Sequence, residues 1–333
     1  MTRDPRFRQA MAIAALRVSV RKANKWPPGP ILLLTAVVAA VSLAACLARA
    51  LAPVINDAEI RLLTVGGVER TYYLHVPAGL PSGTPLVIML HGDFNDGRTA
   101  ARTYGWVHQS DLSGFVLAGP NGARVDPGGR PSHRNLRGWN SGVIDEPLGR
   151  TRSDDVGFIV AMIDDIARTA RIDRRRVYLA GYSSGGHMAN RLGQEIAGRL
   201  AAVSTSGGLF VQLPRPPSRG IPIMISAGDR DPHAPMEMSW RVMPNGGVVV
   251  KESQRDIVDH WRTLNACPPA HPVPSPQGTT MEVSGPCRDG SEVRYLVMYG
   301  VPHTWATGRP VDLTEMSWGF FQRFSLPAEP EGN

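Results

Sequence analysis

Gly181-Tyr182-Ser183-Ser184-Gly185 fits the pattern G-x-S-x-G, and its setting gives it chemical meaning. It lies between a short apolar run, Val177–Ala180 (VYLA), and a helix-forming stretch that begins at Gly185 (GGHMANRLGQEI). A tight strand-to-helix turn there pushes a serine hydroxyl out above the end of a sheet, and the helix start favours negative charge beside it. A serine hydroxyl is a weak nucleophile at neutral pH and needs a base. Of nine histidines, His303 stands after the last predicted strand and before the last predicted helix. An acid that orients this imidazole should lie between the two in the chain. Ala227-Gly228-Asp229-Arg230-Asp231-Pro232 offers two carboxylates, and spacing does not choose between Asp229 and Asp231. His91-Gly92-Asp93 follows another buried strand. Its Asp93 N–H, with that of Ser184, is a candidate pair of donors for an oxyanion, and His91 reads as a hydrogen-bonding turn residue. Together these groups spell nucleophilic acyl transfer.

The elements that must position them alternate. Glu59–Val65 and Arg70–Val76 read as a hairpin around Gly66-Gly67. Pro85–Leu90 is continuously apolar, as a strand covered on both faces should be, and Gly114–Ala118 is similar. Ser153–Ala170 has apolar residues at helical spacing behind Ser153-Asp154-Asp155. Strands are expected at 177–180, 201–204, 221–226 and 292–299, and helices at 185–196, 251–264 and 313–324. Such alternation implies a mostly parallel central sheet with helices on both faces. Around a G-x-S-x-G turn such a sheet resembles the α/β-hydrolase arrangement, in which serine, acid and histidine follow one another along the chain. Residues 119–152 are too long for a plain connector and form a candidate substrate loop. Residues 268–279 are rich in proline.

With 42% hydrophobic and 20% charged residues, the chain can bury a real core. Its net charge is +7, of which +6 resides in the tail, where residues 1–30 carry seven cations against Asp4 alone. The remainder is nearly neutral, so no basic face is available for nucleic acid. The basic tail runs into Ile31–Leu47, an uncharged apolar run, so residues 1–52 read as a leader and residues 55–327 as one catalytic domain. Ala48-Arg49-Ala50 fits a signal cleavage site, and Leu43-Ala44-Ala45-Cys46 resembles a lipobox in which Cys46 is lipidated. An uncleaved anchor touching the membrane and a buried apolar helix are the alternatives, and Met11 is a second candidate start. Export to the cell envelope or beyond is the expectation. Two cysteines then remain, Cys267 and Cys287, an even number that suits an oxidising compartment, with two unrelated thiols as the alternative. They do not supply a zinc site even with His271, and no metal or organic cofactor is expected.

The segments LHGDFNDG (90–97), GWN (138–140), DDVGF (154–158), RRVYLAGYSSGGHMANRL (175–192), SAGDRDP (226–232) and PHTWATG (302–308) together resemble the polyhydroxybutyrate depolymerase and feruloyl esterase family of α/β-hydrolases, in its exported, lipoprotein-type branch. The resemblance spans roughly residues 60 to 325. It implies Ser183 as nucleophile, Asp231 as acid, His303 as base, Asp93 and Ser184 at the oxyanion, and a Cys267–Cys287 link. Trp139, Trp305 and Tyr182, within these segments, are candidate substrate-lining residues. Ser184 stands where the family usually has Asn, Ala306-Thr307 interrupts its H-T-W-P-G, and cysteines common after W-N are missing. These departures bear on the substrate more than on the chemistry. A serine esterase acting on small or oligomeric esters is the function implied. A peptidase of the same fold lacks an evident amine-binding acidic pair, and a non-catalytic envelope protein sits poorly with an intact, ordered triad.

Overall fold

The computed structural model describes residues 59–124, 137–142, 153–211, 213–237, 239–242, 248–251 and 253–328. The leader, with Ile31–Leu47, Cys46 and Ala48-Arg49-Ala50, lies outside them, as does most of the long loop between 119 and 152. Residues 56–333 form one structural unit.

In chain order the strands and helices are β1 (Glu59–Val65), β2 (Val68–His75), β3 (Thr84–Leu90), α1 (Gly97–Thr103), α2 (Trp106–Ser113), β4 (Val116–Pro120), β5 (Ala123–Arg124), β6 (Arg137–Gly138), α3 (Asp155–Thr169), β7 (Ile172–Tyr182), α4 (Ser184–Glu195), β8 (Ala202–Ser206), β9 (Ile223–Gly228), β10 (Ser239–Val242), β11 (Val248–Lys251), α5 (Gln254–Leu264), β12 (His271–Val273), β13 (Thr279–Ser284), β14 (Val293–Met298) and α6 (Leu313–Phe321). Ten strands make one sheet in the order β1-β2-β4-β3-β7-β8-β9-β14-β13-β12. The strands from β4 to β14 in that order are parallel, and the flanking strands on both sides are antiparallel.

Side-chain alternation along the central strands sorts the core into two layers. Ile88 and Leu90 of β3, with Val177 and Leu179 of β7, pack with Phe158, Met162, Leu192 and Trp261 from α3, α4 and α5. Val87, Met89, Tyr178 and Ala180 pack with Ala100, Trp106, Trp318 and Phe321 from α1, α2 and α6. Both faces of the sheet are therefore covered, which is why these strands read as unbroken apolar runs.

Most sequence boundaries hold with small shifts, but β7 begins at Ile172, five residues before Val177, and further differences lie at α5 and in elements that were not anticipated. Lys251 belongs to β11, and α5 begins at Gln254 because Ser253 and Asp256 close a capping box there. The short helices α1 and α2 and the strands β12 and β13 had no clear sequence signal. Helices α1 and α2 bury only Gly97, Ala100, Ala101, Trp106 and Ser110, too few large apolar residues to mark a stripe. In β13 the buried positions Thr279, Met281 and Val283 alternate with Thr280 and Glu282, a pattern with just two strongly apolar members.

Chain order reverses between β3 and β7: β4 lies on one side of β3, and the chain then crosses to the other. In open α/β sheets the crevice at the carboxyl ends of such strands is the usual ligand site. Register brings those ends level, with Leu90 beside Gly181, Tyr182 beside Ser206, Ser206 beside Ser226, and Gly228 beside Met298.

Candidate active site

Ser183 follows β7 at φ 54° and ψ −125°, a backbone conformation that a side chain rarely tolerates, directly before α4. Its flanking glycines are sterically required. A Cβ on Gly181 would meet the Gly185 carbonyl oxygen at 2.3 Å, and one on Gly185 would meet the Leu90 carbonyl oxygen at 2.3 Å. The turn therefore wedges the start of α4 against the end of β3, next to His91-Gly92-Asp93.

His303 follows β14. Its Nε2 lies 2.9 Å from Ser183 Oγ, and its Nδ1 lies 2.6 Å from Asp231 Oδ2. The other carboxylate oxygen, Asp231 Oδ1, accepts the His233 and Ala234 amides at 2.8 and 2.9 Å. Burial pushes the Asp231 carboxyl upward, but the His303 bond and the two amides outweigh it and hold the group below the usual aspartate value. Asp229 does different work: its Oδ1 accepts the Gly300 amide at 2.6 Å and fixes the turn leading out of β14. Of the two carboxylates that spacing left open, Asp231 is the one in contact with the imidazole.

The loop after β3 is braced from below. His91 Nδ1 lies 2.7 Å from the Gly92 carbonyl oxygen, and its Nε2 accepts the Gly122 amide at 3.0 Å. Full burial pushes the imidazole down to about 4, so it is neutral at physiological pH and carries its proton on Nδ1. His91 is thus a structural hydrogen-bonding residue. The Trp139 indole donates to the His91 carbonyl at 2.9 Å. Asn140 in turn gives its amide to Asp155, whose other oxygen holds Arg70 at 2.6 Å, both side chains being buried. The Arg70 guanidinium also covers the Phe158 ring at 4.2 Å. GWN and DDVGF are in this way parts of one buttress beneath the loop that carries Asp93.

Ser184 opens α4, where the first amides have no partner within the helix. Its hydroxyl is buried without a hydrogen-bond partner.

Two of the three candidate lining residues are placed elsewhere. Trp139 is 1% exposed and packs in the core beneath His91. Trp305 is 3% exposed, donates its indole N–H to Thr314, and packs against Tyr104 and Trp106. Large rings in a short motif look alike in sequence whether they face a cleft or a core. Tyr182 does border the site, its ring 5.0 Å from that of His303, and burial raises its phenol well above the ordinary value.

Three residues escaped notice in the sequence. Gly207, at φ +62°, backs onto His303, and the His233 ring lies 4.8 Å from the His303 ring. Phe94, beside Asp93, is 71% exposed. The Gly207-Gly208 pair after a predicted strand was the one available signal.

The chain belongs to the Esterase PHB depolymerase family, whose model matches residues 70–257. It is thereby a carboxylic ester hydrolase of the α/β-hydrolase fold. It is similar to a Nocardia uniformis subsp. tsuyamanensis protein, NocK, an esterase by name, at 29% identity over 74% of each chain. It is also similar to feruloyl esterase B of Piromyces equi, at 28% identity over 57% of this chain and 34% of that one. The chain thus spans about a third of that enzyme's length. A thermostable esterase of known structure shares the fold, with a TM-score of 0.55 and 17% identity over 82% of this chain and 64% of the other.

Proposed function

We propose that Ser183, His303 and Asp231 are a catalytic triad that hydrolyses carboxylic esters through an acyl-enzyme. The observation that carries this is the unbroken relay from Asp231 Oδ2 through both ring nitrogens of His303 to Ser183 Oγ, at 2.6 and 2.9 Å. His303 Nε2 takes the hydroxyl proton as Ser183 Oγ attacks the ester carbonyl. The ionised Asp231 keeps the other ring proton on Nδ1 and stabilises the imidazolium that forms. Negative charge on the tetrahedral carbonyl oxygen is met by the amides of Asp93 and Ser184 and by the positive end of α4. His303 then protonates the departing alcohol, and a water activated by the same nitrogen releases the acid. The substrate is a small or oligomeric ester, a class suggested by the family and by the feruloyl esterase relative.

Export is part of the same proposal. Residues 1–52 supply a basic leader with an apolar run, and Cys267 and Cys287 are joined in a disulfide, as an oxidising compartment allows. Among the described residues no helix is long and apolar enough to cross a membrane.

The test is turnover of p-nitrophenyl acetate beside a peptide anilide, with fluorophosphonate labelling. Ester cleavage and label should both vanish in Ser183→Ala, with residual activity down by roughly three or more orders of magnitude. Label persisting on another serine would remove Ser183 from its role, and faster anilide cleavage would make the protein a peptidase.

A further inference from the structure

Phe94 combines two unfavourable features at one position. Its side chain is 71% exposed, and its backbone sits at φ 60°, in the left-handed region where a bulky side chain is an outlier. A single exposed phenylalanine is ordinary, but one held in a strained backbone conformation beside a site points toward function.

The loop is held on both sides of Phe94. On one side, Gly92 lies so close to the nucleophile that a Cβ there would be 3.1 Å from Ser183 Cβ. On the other, Asn95 Oδ1 accepts the Asp96 amide at 2.8 Å and its Nδ2 reaches the Tyr104 hydroxyl at 3.4 Å. Asp96 itself caps α1 through the Thr99 amide at 2.8 Å. Phe94 is therefore fixed two residues from a glycine in contact with Ser183. From Tyr104, which Asn95 meets at the far end of α1, an aromatic track leads to the base: the Tyr104 ring meets Tyr182 edge-on at 5.5 Å, and Tyr182 lies 5.0 Å from His303.

Resting on the Ser183–His303 assignment above, we propose that Phe94 is a specificity-determining residue whose exposed ring stacks on a planar, unsaturated ring of the ester substrate. Stacked or edge-on aromatic pairs add to simple area burial, so a substrate ring seated there gains affinity that an alkyl chain does not. The fixed loop means that little ordering is required on binding.

The experiment measures kcat/KM of the full-length protein for methyl cinnamate and methyl butyrate, and reads their ratio. In Phe94→Ala the cinnamate-to-butyrate ratio should fall about tenfold, and in Phe94→Trp it should be retained. Phe94→Gly should lower the ratio equally while raising Tm, because glycine accepts the positive φ. That pairing separates a lost contact from a damaged fold. An unchanged ratio in both the Ala and Gly variants, or a wild type that cleaves butyrate alone, overturns the role of Phe94 and leaves the triad standing. A wild type that cleaves neither ester fails the esterase assignment itself, and Phe94's role falls with it.

Discussion

Gly207 backs directly onto His303. A Cβ built on Gly207 would lie 2.9 Å from His303 Cε1, 3.1 Å from Nδ1 and 3.3 Å from Asp231 Oδ2. The end of β8 thereby limits where the imidazole can sit between Asp231 and Ser183. Gly207 also has φ +62°, so a side chain is opposed by backbone strain as well as by contact. Gly207→Ala should lower kcat by about a hundredfold through displacement of the ring, with a smaller effect on KM. Steady-state kinetics on a short ester checks this, and a kcat within twofold of wild type would show that the ring has room to spare.

The two aspartates at the end of β9 should separate cleanly. Asp231→Asn keeps the shape but presents the wrong hydrogen-bonding pattern to Nδ1, and turnover should drop by roughly three to four orders of magnitude. Asp229→Asn retains an oxygen for the Gly300 amide and should stay within about threefold of wild type. The reverse order would transfer the acid role to Asp229.

Acid stability should report on His91. Its folded value, about 4, lies below the ordinary histidine value of about 6.5, so the fold favours the neutral ring. The stabilisation is complete above pH 6.5 and is lost as pH falls toward 4, because the unfolded chain takes up the proton first. Between pH 7 and pH 4.5 this single group should cost about 2 kcal/mol. His91→Gln should remove that part of the slope in urea unfolding measured at the two pH values. An unaltered slope would place the acid sensitivity elsewhere.

Cys267 and Cys287 are bonded across a sequence separation of 20, which in the chain-entropy model stabilises the fold by about 3 kcal/mol. Reduction should lower Tm by roughly 5 °C. Cys287 stands ahead of the amino end of β14, its amide bonded to the Ser291 carbonyl, and His303 follows the carboxyl end. About 20 Å of rigid strand separates them. Ester turnover well below the reduced protein's Tm should therefore be preserved, and parallel loss of activity at low temperature would contradict that separation.

Sequence by itself determined the parts of this protein whose signal is local. A strand covered on both faces must be apolar throughout, so β3 and β7 are visible as PLVIML and VYLA. A strained turn between strand and helix demands small neighbours, so Gly181 and Gly185 mark Ser183. His303 followed from its place after the last central strand. Tertiary structure decided what depends on approach across the sheet. Asp229 and Asp231 sit two residues apart on one turn, and only the pairing of β9 with β14, Gly228 beside Met298, brings the first to Gly300 and the second to His303. Trp139 and Trp305 lie in motifs as suggestive as the one holding Tyr182, yet packing turned both into the core. Gly207 and Phe94 gained meaning only from what stands opposite them or from what leaves them exposed. Backbone strain and burial leave local marks on residue type, whereas the contact between two side chains far apart in the chain is set by register, which neither segment encodes alone.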